Sequence, residues 1–268
     1  MDEHPRRAWP KKDSSMRVAI SLVREGKVKA CASAGNTGAL VMISKILLKT
    51  FPHVHRPAII SALPTITGHV NMLDLGGIVD CKAEHLFQFG IMGSTFVKYM
   101  EGIPRPRVAL LNIGKEKYKG NRATSDASEL FRSSTINYQG YIEGDAIFTS
   151  EVDVIVCDGF VGNVAIKTSE GLSKFIQQAL RREFEHSIMS KLVGFAARPI
   201  MERVKSRVDP RVFNGAALIG LRGSVIKSHG GADAVAFSYA IRKTLTEISN
   251  DVPSKIQHEI SAAAGAAV

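Results

Sequence analysis

Lys29–Leu40 reads KACASAGNTGAL, and the reading of this stretch decides the fold. Ala30, Cys31, Ala32 and Ser33 form a small-residue run suited to a buried strand, which stops at Gly35-Asn36-Thr37-Gly38. Leu40, Val41, Ile43, Ile46 and Leu47 then recur at helical spacing. The turn between strand and helix has two readings. Its residues tolerate positive φ and cap a helix, or the amides of Gly35–Gly38 hold an anion at the helix N-terminus, with Thr37 capping the helix and bonding a phosphate oxygen.

The same alternation runs outward along the chain. Strand-length apolar runs occur at PAIISALPT (57–65), HVNMLDLGG (69–77), RVALLNIG (107–114) and VDVIVCDG (152–159), and AALIGLRGSVIKSHG (216–230) carries one or two more. Helical patterns cover about 37–49, 83–100, 124–134 (with Ser125 or Thr124 as cap), 164–183 and 233–250. Strands this apolar, separated by helices, predict one α/β domain over 1–268 with a mostly parallel sheet flanked by helices. Residues 186–213 are the least regular stretch, mixing Leu192, Val193 and Phe195 with Lys191, Arg198 and Arg203, and the final SAAAGAAV (261–268) reads as a frayed tail.

Composition narrows the class of protein. Of 268 residues, 45% are hydrophobic and 22% charged, which is an ordinary globular balance. The net charge of +10 favours an acidic partner, whether nucleic acid, anionic membrane, acidic protein or phosphorylated substrate, or else serves solubility alone. Cys31, Cys81 and Cys157 have no C-x-x-C spacing, so no disulfide framework and no zinc site is expected. The N-terminus has no apolar signal-peptide core, and GALVMISKILL (38–48) is too short and too interrupted by Lys45 to span a membrane, which predicts a cytoplasmic protein.

In an open parallel sheet, ligands bind beyond the carboxyl ends of the strands. Five strand ends here finish in small, amide-rich turns: Gly35–Gly38, Gly76-Gly77, KEKYKGN (115–121), DGFVGN (158–163) and HGGAD (229–233). The expectation is that all five share one edge of the sheet. Lys115, Lys117 and Lys119 then either form a solvated charge run or neutralise a phosphate. The polar candidates along that edge are Asn36, Thr37, Lys115, Lys119, Asp158, Asn163 and His229. Such a set suits oxyanion binding without a covalent enzyme intermediate. No G-x-S-x-G elbow, no G-x-x-x-x-G-K-[ST] loop and no metal-spaced His pair is present, and no cofactor or metal is expected.

SAGNTGAL (33–40), LLNIGKEKYKGN (110–121), VIVCDGFVGNVAIKTSEG (154–171) and LIGLRGSVIKSHG (218–230), in this order, resemble the phosphate acyltransferase family of bacterial phospholipid synthesis (PlsX). The resemblance runs from about Pro5 to about Ile248. It implies a fold similar to isocitrate dehydrogenase and phosphotransacetylase, and transfer of a fatty acyl group from acyl carrier protein to inorganic phosphate, giving acyl phosphate. It places Lys119 and Asn163 on the family's catalytic positions. Gly35, Asn36, Thr37, Gly38, Lys115, Asp158, Gly159, Gly162 and His229 would then bind phosphate or substrate.

The implied partners are acyl carrier protein, which is acidic and suits the positive charge, a second copy of the chain, and the inner membrane face with its glycerol-3-phosphate acyltransferase. Nucleic acid is not among them. Leu192, Val193 and Phe195 would contact that membrane, or pack in a dimer. A short-chain phosphotransacetylase, or a non-catalytic remnant binding the carrier or the membrane, is the alternative. The chain departs from the family pattern twice. It starts inside the family domain, lacking a DAMGGD-type opening and about the first quarter of the domain, and it reads DLGGIVD (74–80) where DLGANVD is typical.

Overall fold

In the computed structural model, which describes residues 13–207 and 209–265, apolar alternation along the strands builds one eight-stranded sheet. Pro5–Lys12 and the last three residues of the expected tail lie outside the described residues. The elements are α1 (Ser15–Arg24), β1 (Ala30–Ser33), α2 (Thr37–Leu48), β2 (Ala58–Pro64), β3 (His69–Leu73), α3 (Ala83–Glu101), β4 (Val108–Leu111), α4 (Arg122–Arg132) and β5 (Tyr138–Ile142). They continue with β6 (Val154–Val156), α5 (Gly159–Glu185), α6 (Ile188–Arg207), β7 (Ala216–Ile219), β8 (Ser224–Lys227), α7 (Ala234–Ser249) and α8 (Val252–Gly265).

Successive strand residues face opposite sides, so each strand feeds two cores. Ile60, Leu73, Val108, Leu110, Val154, Val156 and Ile226 meet α3, α4, α7 and α8 through Phe89, Phe96, Phe131, Ala240 and Ile256. Ile59, Met72, Ala109, Ile155, Leu218 and Val225 point to the other face, under Ile20 of α1, Leu40 and Ile43 of α2, and Ala165 and Ile166 of α5. Burial on both faces explains why these strands read as continuous apolar runs.

The strand order is β1-β8-β7-β2-β3-β6-β4-β5. Pairs β1/β8, β3/β6, β6/β4 and β4/β5 are parallel, whereas β8/β7, β7/β2 and β2/β3 are antiparallel. The antiparallel pairs have a local cause. Residues 65–68 join β2 to β3 and residues 220–223 join β7 to β8. A parallel crossover needs about a dozen residues or more, so such connections make hairpins. Strands β1, β2 and β8 therefore run one way and the other five run the opposite way.

Other boundaries also differ from expectation. Helix α5 begins at Gly159, with Asp158 as its cap, so DGFVGN is a cap and first helical turn rather than a loop. Asn121, not Thr124 or Ser125, caps α4 by accepting from the Thr124 amide at 2.9 Å. Residues 188–207 are helical, and Val252–Gly265 is helix anchored by buried Ile256 and Ile260, so the expected frayed tail is structured as far as Gly265.

Helices α5 and α6 form an arm. Beyond Ile166 the side chains of α5 are mostly exposed, and Phe184 packs against Gly194 of α6. Pro199 interrupts the amide ladder of α6. Leu172, Phe175, Ile188, Leu192, Val193 and Phe195 all lie exposed along this arm.

Glu247 of α7 is 2% exposed, and its Oε2 has no hydrogen-bond partner among the described residues. Burial pushes its carboxyl up to about 7, against the opposing pull of the Ser224 hydroxyl and the Lys243 ammonium. The folded state thus binds this proton more tightly than the unfolded chain, whose Glu titrates near 4.5. The associated stability is fully present below that value and is lost as pH rises through about 7. Glu247→Gln is expected to remove a loss on the order of 2–3 kcal/mol between pH 4.5 and pH 8. Thermal melts across that range check it: the wild type should lose at least about 5 °C more than the variant, and parallel Tm profiles would refute the assignment.

Candidate functional site

Strand direction sorts the five glycine-bearing turns onto two opposite edges of the sheet rather than one, which corrects the expectation from sequence. Gly35–Gly38 and His229 follow β1 and β8 on one edge. The turns after β3, β6 and β4 lie on the other, side by side, because these strands are consecutive parallel neighbours. The two hairpins described above are the physical reason.

On the first edge the polar groups already serve the turn. Asn36, not Thr37, caps α2, its Oδ1 accepting from the Ala39 amide at 2.9 Å. The Gly35 amide donates to Ser33 Oγ at 3.2 Å. His229 donates its backbone N–H to Asn214 Oδ1 at 2.9 Å and accepts from the Gly231 amide through Nδ1 at 3.0 Å.

The second edge is organised by two buried polar side chains. Asp74, fully buried, ends β3 and folds the DLGGI turn around itself. Its Oδ1 accepts from the amides of Ile59 (2.8 Å) and Gly77 (3.0 Å), and Oδ2 accepts from Ile78 (2.7 Å). Burial raises the Asp74 carboxyl to about 6, while these amides hold it down. Residue 78 contributes its backbone N–H here, so an isoleucine at this position keeps that bond, and its side chain packs on the core.

The first turn of α5 rests on this loop. The Gly159 amide donates to Ile78 O at 2.7 Å. A Cβ on Gly162 would lie 1.9 Å from Asp74 O and 2.9 Å from Cys157 Sγ, so only glycine permits this approach. Asp158 Oδ1 accepts from the Val161 amide at 2.8 Å, which commits that oxygen to the cap. Asn163 follows, exposed, with the Gly76 backbone beside its side chain.

Asn112 does for β4 what Asp74 does for β3. Its Nδ2 donates to Gly114 O and Lys119 O, both at 3.0 Å, closing the loop into a fixed shape. Gly120 sits at φ +99°, and a Cβ there would lie 2.2 Å from Asn112 Oδ1. Lys119 is thereby held at its backbone while its Nζ lies 5.8 Å from the centre of the Tyr118 ring. Lys115 is exposed on the same loop.

Sequence reasoning passed over Asp74 and Asn112 as an ordinary turn carboxylate and an unremarked polar residue. The available signal is a polar side chain late in an apolar run, two positions before a glycine, as in Asp74-Leu75-Gly76 and Asn112-Ile113-Gly114. One element reaches between the edges: on α5, Lys167 follows Asn163 by four residues and comes close enough to Lys227 of β8 for its charge, after burial, to lower that lysine's pKa.

The thiols have a common electrostatic state. Burial pushes Cys31 up to about 11, Cys81 up to about 12 and Cys157 well above the usual thiol range. All three are held protonated near neutrality and are poor nucleophiles. Among the described residues, no group of three or more His, Cys, Asp or Glu side chains is placed to hold a metal ion.

Residues 1–255 match the family model described as fatty acid synthesis protein. The chain is 52% identical over 257 residues to the phosphate acyltransferase of Methylococcus capsulatus, covering 96% of this chain and 76% of that protein. It is 51% identical over 268 residues to that of Halorhodospira halophila, covering 99% and 78%. Among solved structures, the EutD phosphotransacetylase from Staphylococcus aureus superposes with a TM-score of 0.57 at 15% identity, over 88% of this chain and 67% of that one. A phosphotransacetylase from Streptococcus pyogenes gives 0.56 at 17%, over 87% and 67%. These two likenesses are of fold.

Proposed function

Because this chain belongs to the phosphate acyltransferase family, we propose that it transfers a fatty acyl group from acyl carrier protein to inorganic phosphate, releasing acyl phosphate for phospholipid synthesis. The observation that carries the placement of the reaction is the pairing of two rigid, adjacent turns, one bearing Lys119 and the other Asn163, on one edge of the sheet.

A phosphate oxygen attacks the thioester carbonyl carbon and forms the C–O bond. The carbonyl oxygen becomes an oxyanion, the C–S bond breaks, and the thiolate leaves. A thiol pKa near ~8.5 means that the leaving group needs little protonation. What remains for the protein is orientation and charge stabilisation. Lys119 neutralises phosphate and the developing oxyanion, with Lys115 adding positive potential. Asn163 donates its amide to the carbonyl oxygen. Asp158, Gly159 and Gly162 set the start of α5 and so position Asn163. The protonated thiols favour direct attack by phosphate over an acyl-cysteine intermediate. Gly35–Gly38 and His229 belong to the opposite edge and are assigned no part in the Lys119 turn.

Incubation with palmitoyl-acyl carrier protein and phosphate tests the reading, with acyl phosphate as the expected product. Turnover of acetyl-CoA in its place would indicate a short-chain phosphotransacetylase. Turnover of neither would reject the proposal.

No helix among the described residues is long and apolar enough to cross a membrane. The exposed Leu192, Val193 and Phe195, with Lys191 beside them, support contact of the α5–α6 arm with an anionic membrane surface, and the same arm offers a face for a second copy. Phe195→Ser is expected to reduce flotation with anionic vesicles at least about threefold. Unchanged flotation alongside a shift from dimer to monomer in sedimentation would reassign the arm to the dimer.

A further inference from the structure

Resting on the reading above, in which the acyl group arrives on a protein, we infer that the loop between β4 and α4 is the docking surface for that acidic carrier, centred on Ile113, Lys117 and Tyr118 and extended by Lys115 and Arg122. Ile113 is 78% exposed and Tyr118 is 80% exposed. Two large side chains this open on one short loop give it an exposed apolar surface of the kind that marks interaction sites when it is contiguous and rimmed by polar groups.

They stand among cations. Residues 113–122 hold Lys115, Lys117, Lys119 and Arg122 against the single carboxylate of Glu116. Among the described residues, Lys115 and Lys117 have no carboxylate within ion-pair distance, and Arg122 meets only Asp126, at 3.5 Å on an exposed helix face. Apolar contacts flanked by this excess of cations match a partner that presents apolar side chains within an acidic surface.

The loop is also preorganised. The bonds from Asn112 to Gly114 O and Lys119 O, and the Lys119 amide to Glu116 O at 3.0 Å, fix its shape before any partner arrives. Little ordering entropy is then lost on docking. Its position suits a tethered substrate, because the same loop carries Lys119 and lies one strand from the turn that bears Asn163. A carrier seated on Ile113, Lys117 and Tyr118 delivers its thioester to the neighbouring turn.

The test compares one acyl group on two carriers, acyl carrier protein and the small thiol pantetheine, for wild type, Lys117→Glu, Ile113→Ser and the double variant. Tyr118 is kept because Lys119 lies over its ring. KM for the protein-borne thioester is expected to rise at least tenfold in the double variant, with kcat and the kinetics of acyl-pantetheine within twofold of wild type. The wild-type KM for the carrier should also rise with salt, and less steeply in Lys117→Glu. An unchanged carrier KM overturns the inference while leaving the proposed reaction intact, as does loss of binding to anionic vesicles without a change in carrier KM. Equal impairment with both substrates overturns it in favour of a catalytic loop. Wild-type turnover of acyl-pantetheine but not of the carrier thioester overturns it together with the carrier-dependent reading of the function.

Discussion

Replacing Gly162 by alanine is expected to reduce kcat/KM by at least about 100-fold and to lower Tm by roughly 5–10 °C. The new Cβ would begin 1.9 Å from the Asp74 carbonyl oxygen and 2.9 Å from Cys157 Sγ. Neither can give way freely: one is backbone held by the Asp74 turn, and the other is the short, buried side chain of the residue that follows β6. The first turn of α5 must therefore move off the β3 loop by about 1 Å, carrying Asn163 with it, and a displacement of that size is enough to spoil reacting geometry. Overpacking of this kind costs about 1–3 kcal/mol or more. Gly171 on the same helix is the control, because nothing among the described residues lies within 4 Å of a Cβ there. Gly171→Ala should stabilise by up to about 1 kcal/mol through helix propensity, with activity unchanged. If Gly162→Ala melted and turned over like Gly171→Ala, the close seating of α5 on the Asp74 turn would have no bearing on the site.

That seating also shows where sequence reading succeeds and where it stops. The alternation of Ile59 with Ile60 and of Val154 with Ile155 announced strands buried on both faces, and the spacing of Leu40 and Ile43 announced α2. Both are local periodicities, so a single sequence carries them. Strand direction is different, since it depends on how the chain connects. The four residues at 65–68 and the four at 220–223 are short enough to require hairpins, a count that the expectation of one shared edge leaves out. The single-edge picture failed on those two connections alone. The start of α5 was placed five residues late because Gly159 and Gly162 weaken a helical pattern. Their presence is explained only by the backbone that approaches them, which no local pattern contains. The motifs that bear Lys119 and Asn163 are local and can be read from sequence, but the side chains that hold their turns, Asn112 and Asp74, are identifiable only from contacts such as the Ile59 amide on Asp74.

Lys119→Ala is expected to lower turnover by more than tenfold, and toward 100-fold if it stabilises the oxyanion as well as binding phosphate. The fold should not change. The loop is closed by the carbonyl of residue 119, which accepts from Asn112, and an alanine supplies the same carbonyl. Among the described residues, the lysine ammonium meets only the Tyr118 ring, 5.8 Å from its centre. Tm should therefore stay within about 1 °C of wild type, since an exposed cation–π contact contributes under about 1 kcal/mol. A loss confined to KM for phosphate would restrict Lys119 to ground-state binding, whereas a loss in kcat at saturating phosphate assigns it to the transition state. Asn163→Ala tests the partner group. If the lysine and the amide act on one tetrahedral oxyanion, the double variant should lose less than the product of the two single losses, because the second deletion removes a donor from a state already poorly stabilised. Strict multiplicativity would place the two side chains on separate steps, and a near wild-type rate for Lys119→Ala would remove the β4 loop from the chemistry, whatever docks on its outer surface.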